Sequence, residues 1–171
     1  MVPAGDLTAH PHPRFGYVGT IGPWLDIALL IELASACPKG SVVVIGPWEI
    51  PIPRDIPPNL HILGVKSYAQ LPQYLAGFDV GLIPFKTGPL SQAVNPVKLF
   101  EYVAAGLPVV AIRSHELDRY ARWCRLADTR EDFIADAVHA ARNQFIPVDL
   151  AELAEYDWRS ITERILRLIG G

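Results

Sequence analysis

The sequence predicts an α/β domain built on a doubly wound, mostly parallel, Rossmann-like sheet of about six strands. Three observations lead there. Short apolar runs alternate with longer amphipathic segments from residue 15 to residue 143. One run, Ser41-Val42-Val43-Val44-Ile45, is almost wholly β-branched and apolar, as a strand covered on both faces must be. The joints carry matching punctuation: Gly46 and Gly64 close runs, Asp26 and Asn95 open helices, and Gly106 ends one.

Taken in order, residues 1–14 hold three prolines, two histidines and a glycine without periodicity, and read as a leader or linker, a mobile arm. His10-Pro11-His12-Pro13 has no Cys or carboxylate at ligand spacing, so no metal site is expected there. The domain proper runs from 15 to 156. Phe15–Gly19 is the first strand. Asp26 caps a helix that reaches Cys37, with Pro38 just beyond it. Ser41–Ile45 is the second strand, and Pro47–Pro58 a proline-rich loop. Leu60–Gly64 is the third strand and Tyr68–Ala76 a short helix. Asp79–Pro84 is the fourth strand, Asn95–Ala105 a helix, and Pro108–Ile112 the fifth strand. Glu116–Arg125 and Arg130–Asn143 are expected to be helical, with room for a short strand between them. A C-terminal amphipathic helix occupies 157–171, with Trp158, Ile161, Ile165 and Leu168 on one side.

Composition excludes several functions. Fifteen Lys and Arg against 18 Asp and Glu give a net charge of −3 with no basic run, which argues against a nucleic-acid partner. Half the residues are hydrophobic, enough for a core and too many for a disordered chain. Cys37 and Cys124 stand in no motif, which fits a reducing compartment. The longest apolar stretches fall short of a membrane span, and Met-Val-Pro-Ala-Gly-Asp has no signal layout. A soluble, cytoplasmic domain is expected. No Gly-x-Gly-x-x-Gly or Gly-x-x-x-x-Gly-Lys-Ser/Thr occurs, which leaves dinucleotide dehydrogenases and P-loop enzymes unsupported.

Chemistry concentrates in Asn95-Pro96-Val97-Lys98-Leu99-Phe100-Glu101-Tyr102-Val103-Ala104-Ala105-Gly106-Leu107-Pro108-Val109-Val110. Asn95 suits the N-cap and Pro96 the first helical position. At about 100° per residue, Val97, Leu99, Phe100, Val103 and Ala104 share one arc and should face the sheet. Lys98, Glu101, Tyr102 and Ala105 share the other. Lys98 lies in the first turn, where the helix dipole disfavours a cation, so it needs a reason to be there. A helix N-terminus plus an ammonium suits a phosphate. Glu101, one turn on, can accept from two vicinal hydroxyls of a ribose. An ordinary surface Lys–Glu pair is the other reading that the residues leave open.

With the strand Asp79-Val80-Gly81-Leu82-Ile83-Pro84-Phe85 before it, this stretch resembles the C-terminal, nucleotide-sugar-binding domain of a GT-B glycosyltransferase of the retaining group 1 kind. Glu101, Ala104-Ala105 and Gly106-Leu107-Pro108-Val109-Val110 follow that family's order. Phe15-Gly16-Tyr17-Val18-Gly19, Val43-Val44-Ile45-Gly46-Pro47 and Asn59-Leu60-His61-Ile62-Leu63-Gly64 resemble its first three strands. The likeness covers residues 14–145.

The resemblance implies transfer of a sugar, with retention, from a nucleoside diphosphate sugar, UDP above all, to a saccharide or lipid-linked acceptor in polysaccharide biosynthesis. It implies no metal and no cofactor besides that donor substrate. Glu101 would bind the ribose hydroxyls, Gly19 and Thr20 approach the diphosphate, and Val65 and Lys66 lie by the base. Backbone amides around Ala93, Val94, Asn95 and Pro96 would line the sugar-diphosphate site. Lys98 as a phosphate or sugar contact follows from its own place on the helix. The implied partner is an N-terminal acceptor-binding domain, in cis or in trans. This half would be inactive alone, and the complete enzyme would be free to associate peripherally with a membrane.

Two departures stand out. The family pairs two glutamates eight positions apart, and eight positions before Glu101 stands Ala93. The Arg and Lys that usually follow the first strand are absent from Gly19-Thr20-Ile21-Gly22-Pro23-Trp24-Leu25-Asp26. A non-catalytic nucleotide- or partner-binding subunit that completes an enzyme in trans is the alternative. A nucleotide-sugar epimerase would need acid and base carboxylates that the sequence does not place. His61 reads as a structural strand residue and His139 as a helix-surface one. His115 stands at the ligand edge of the sheet. Trp24 and Trp48 fall in loops at that edge, to stack on a ligand or to cover the core.

Overall fold

The computed structural model describes residues 2–88 and 97–143, with Leu153. The elements in order are β1 (Arg14–Val18), α1 (Ile27–Ala36), β2 (Ser41–Ile45), β3 (Leu60–Gly64), a 3-10 turn (Tyr68–Gln70) and α2 (Leu71–Leu75). There follow β4 (Val80–Ile83), α3 (Val97–Ala104), β5 (Val109–Ile112), α4 (His115–Asp118), β6 (Arg125–Ala127) and α5 (Arg130–Arg142). The six strands form one wholly parallel sheet in the order β3-β2-β1-β4-β5-β6. The expected doubly wound sheet is therefore present. Helix Asp157–Ile169 and the cap Asn95-Pro96 lie outside the described residues.

Alternation along each strand divides the core into two layers. Phe15, Tyr17, Val42, Val44, Val80, Leu82 and Val110 point to one face, against Leu29, Leu30 and Leu33 of α1 and Phe133 and Ala137 of α5. Val18, Val43, Ile45, Ile83, Val109 and Ala111 point to the other, against Leu75 of α2 and Leu99, Tyr102 and Val103 of α3. The register opens the sheet at its carboxyl edge. Strand β1 pairs with β2 along its whole length, from Arg14↔Ser41 to Val18↔Ile45. It pairs with β4 only at Phe15↔Val80 and Gly16↔Gly81. Beyond Gly16 these two central strands part, at the point where the strand order reverses.

Three expectations are corrected. Residues 2–13 are not a mobile arm: Leu7 is 0% exposed and Ala4 is buried beside it. The Ala4 N–H donates to the Gln73 carbonyl at 3.2 Å. The buried Arg14 gathers this segment, donating to the carbonyls of His10 (2.7 Å), Gly77 (3.3 Å) and Thr8 (3.5 Å). The helix expected over Glu116–Arg125 is the single turn α4, and Arg125 already belongs to β6. Its chain leaves the helix because Trp123 is drawn into the core, stacking on Tyr120 and meeting Phe100 edge-on. Finally, α3 buries Leu99, Tyr102 and Val103, while Val97 and Ala104 are exposed. Tyr102 turns inward because β4 carries Gly81 beneath it; a Cβ there would fall 2.6 Å from the tyrosine ring.

Candidate functional site

The site is the opening between the carboxyl ends of β1 and β4. Once the ladder stops at Gly16, the Val18 N–H faces a gap and needs an acceptor. Tyr102 supplies it: the N–H donates to Oη at 2.9 Å. That bond and the Gly81 gap fix the rotation of α3. Lys98, Glu101 and Tyr102 are spaced i, i+3 and i+4, so they share one face, and that face looks into the opening.

The Lys98 side chain crosses the sheet edge at Gly19. A Cβ on Gly19 would fall 2.2 Å from Lys98 Cε and 2.6 Å from Nζ, so any side chain there would push the lysine end aside. Gly19 also has φ +147°, which L side chains rarely adopt. The Lys98 ammonium ends 5.6 Å from the Tyr17 ring centroid and 5.8 Å from that of Phe85. Among the described residues, neither the Lys98 nor the Glu101 side chain makes a hydrogen bond or close ion pair. Burial pushes the Lys98 ammonium below its usual pKa, and the Glu101 charge opposes this. Burial pushes the Glu101 carboxyl above its usual pKa, and the Lys98 charge opposes that. A partly buried cation with no hydrogen-bonded counter-charge favours an incoming anion.

The turn beneath Lys98 is rigid. The Gly19 N–H donates to the Ile45 carbonyl at 2.8 Å and the Ile21 N–H to the Pro47 carbonyl at 2.9 Å. Tyr17 Oη donates to the Thr20 carbonyl at 2.9 Å. Among the described residues, the N–H groups of Thr20 and Gly22 have no hydrogen-bond partner; Thr20 is partly exposed, while Gly22 is buried against the Trp24 ring. The start of α1 is already occupied. One Asp26 oxygen accepts the Leu29 N–H at 3.1 Å, and the other meets the Arg130 guanidinium. Beside Glu101 opens a cleft of about 400 Å³ between α2 and α3, lined by Val18, Tyr68, Leu71, Pro72, Leu75, Ala76, Glu101, Ala104 and Ala105. Its lining side chains are apolar apart from Glu101 and the Tyr68 hydroxyl.

The structure thus brings Lys98 against Gly19, with Thr20 next in the chain and Glu101 one helical turn from Lys98. Val65 is 70% exposed and does not line the cleft. The Lys66 ammonium turns away to Asp6 at 2.7 Å and over the Tyr74 ring at 5.2 Å. Ala93, Val94 and Asn95 lie outside the described residues. His61 is structural: it stacks on His10 at 3.8 Å, and burial pushes its pKa down. His115 is exposed at the start of α4. Trp24 and Trp48 pack against the core layer of α1. Burial pushes the Cys124 thiol up to about 12 and the Cys37 thiol upward, so neither is an activated nucleophile. Among the described residues, no three His, Cys, Asp or Glu side chains are grouped to hold a metal ion, and no helix is long and apolar enough to cross a membrane. Sequence reasoning did not single out Tyr17, Phe85, Tyr68 or the inward turn of Tyr102. The available signals were Tyr102 four residues after Lys98 and a glycine in the middle of β4.

No family model matches the chain. It is 35% identical over 100 residues to a protein named as a teichuronic acid biosynthesis glycosyltransferase, TuaH of Bacillus subtilis (strain 168). That match takes in 56% of this chain and 25% of the relative, so the chain corresponds to about a quarter of its length. Among solved structures, it resembles Anabaena Alr3699/HepE in complex with UDP at TM-score 0.68 and 15% identity, covering 96% of this chain and 50% of that one. It resembles AviGT4, a glycosyltransferase of avilamycin A biosynthesis, at TM-score 0.70 and 17% identity, covering 99% of this chain and 56% of that one. WaaG, a glycosyltransferase of lipopolysaccharide biosynthesis, follows at TM-score 0.62 and 18% identity, with 81% and 40% covered. By fold, the chain is one Rossmann-like half of the GT-B architecture, and by sequence it is related over 100 residues to a glycosyltransferase.

Proposed function

We propose that this chain is the donor-binding half of a glycosyltransferase, holding a nucleoside diphosphate sugar whose sugar moves to a saccharide or lipid-linked acceptor. The observation that carries the reading is Lys98: a partly buried ammonium laid over Gly19, with Glu101 one helical turn away. In this reading the diphosphate sits at the turn after Gly19, under Lys98 and beside the Thr20 N–H. Negative charge grows on the diphosphate as the sugar leaves, and preset donors in a partly desolvated crevice stabilise that charge most. Lys98 does the work of the Arg and Lys that are missing after β1. The ribose lies against Glu101, whose two oxygens accept from vicinal hydroxyls. UDP is the favoured nucleotide, because Anabaena Alr3699/HepE is described with UDP, with UDP and glucose, and with UDP-glucose. A second, acceptor-binding half completes the enzyme, in cis or in trans.

The test is thermal unfolding of the chain with UDP, GDP, ADP and UMP. A ligand at about a hundred times its Kd adds about 2.7 kcal/mol, a rise of about 5–10 °C for a domain of this size. Lys98→Met is expected to lose the response to diphosphates, and Glu101→Ala the response to every nucleotide. An unchanged response in folded Glu101→Ala sinks the assignment of the ribose site.

A further inference from the structure

We propose that Tyr68 is the platform on which the base of the nucleotide stacks, so that the apolar cleft beside Glu101 takes a flat heteroaromatic ring. This rests on the nucleotide reading above. Tyr68 is 79% exposed, the largest aromatic surface left open among the described residues, and it stands at the rim of the cleft. Its exposure does not come from a loose loop. The preceding Lys66 is tied to Asp6 at 2.7 Å. Ser67 is locked to Gln70, whose Oε1 accepts from the Ser67 N–H at 3.0 Å and from its hydroxyl at 2.9 Å. A hydrogen-bonded turn therefore holds a large aromatic side chain out in water at the rim of the cleft.

The opposite wall fits a flat occupant. Ala104 at the end of α3 and Ala105 just after it present small side chains that let a planar ring approach closely. Glu101 at the inner end receives the ribose, which sends the base outward, between the alanines and Tyr68. Stacking on Tyr68 accepts any base, since each has a π-face. Discrimination among bases then falls to backbone groups at the cleft edge. Lys66, held by Asp6, is not free to read the base.

The experiment is calorimetric titration of the chain with UDP, UMP and inorganic pyrophosphate, in the wild type and in Tyr68→Ala, Tyr68→Phe and Lys98→Met. Tyr68→Ala should weaken UDP and UMP by the same factor, about 5- to 150-fold, and leave pyrophosphate unchanged. Tyr68→Phe should keep wild-type affinity. Lys98→Met should weaken pyrophosphate and UDP more than UMP. In Tyr68→Trp, the added indole emission, taken as the difference from wild type, should be quenched by UMP and not by pyrophosphate. Unchanged UDP and UMP affinity in Tyr68→Ala overturns the platform. An added indole indifferent to saturating UMP does the same. If Lys98→Met still loses pyrophosphate in that case, the nucleotide site stands and only the stacking role falls. A wild-type chain that binds none of the three overturns both.

Discussion

Glu101 and Lys98 each have a pKa displaced against their own charge. The crevice is therefore held at a cost in stability. The sign for Glu101 is definite. Its folded pKa lies above the ordinary 4.5, so the fold favours the protonated acid. Stability is greatest below the unfolded pKa and declines as pH rises through the folded one. Glu101→Gln, which mimics the protonated form, is expected to raise the unfolding temperature of the free chain at pH 7.5 and to leave it unchanged near pH 3.5. A fall at pH 7.5 would contradict this. Tyr102 is the opposite kind of residue. Tyr102→Phe leaves the Val18 N–H without an acceptor. The expected loss is about 1–3 kcal/mol in urea titration, the cost of one buried unpaired donor. These two roles differ in how far the sequence shows them. Lys98 and Glu101 are legible because a cation in the first turn of a helix is locally unfavourable and calls for a partner. The burial of Tyr102 is not, since a helical wheel counts hydrophobicity and cannot know that Gly81, on another element, leaves a hollow.

Among the elements, the strands were the most legible. The ranges Ser41–Ile45 and Leu60–Gly64 are the same in sequence and structure, because a strand in a covered parallel sheet reads as a short apolar run bounded by turn residues. Helix α1 begins where Asp26 predicts, and this supplies a test. Asp26→Ala removes both the cap bond to Leu29 and the contact with Arg130, which also holds Glu32 at 2.8 Å. Asp26→Asn keeps the cap. The alanine variant is expected to lose about 1–2 kcal/mol and the asparagine variant clearly less, by chemical denaturation. What composition hid was decided by contacts distant in sequence. The proline-rich start looks like a linker, yet Arg14 collects its carbonyls and Leu7 fills a place in the core. The segment after Ser114 has helical spacing, yet the packing of Trp123, Tyr120 and Phe100 ends the helix after one turn.

At the scale of the whole molecule, the crevice exists because the strand order turns back at β1. That same order separates its parts along the chain. The Arg14 N–H meets Asp79 across 65 positions, and the Val18 N–H meets Tyr102 across 84. Closing such long loops is entropically slow, while β1 and β2 can pair over a much shorter one. The junction of β1, β4 and α3 is accordingly expected to form late in folding and to open early in unfolding. Stopped-flow kinetics of Tyr102→Phe should then show faster unfolding with nearly unchanged refolding, the signature of a contact absent from the transition state. During synthesis, the turn at Gly19 emerges long before the lysine that lies over it. In a growing chain the opening between β1 and β4 takes its shape only once Tyr102 has been made and has docked on Gly81.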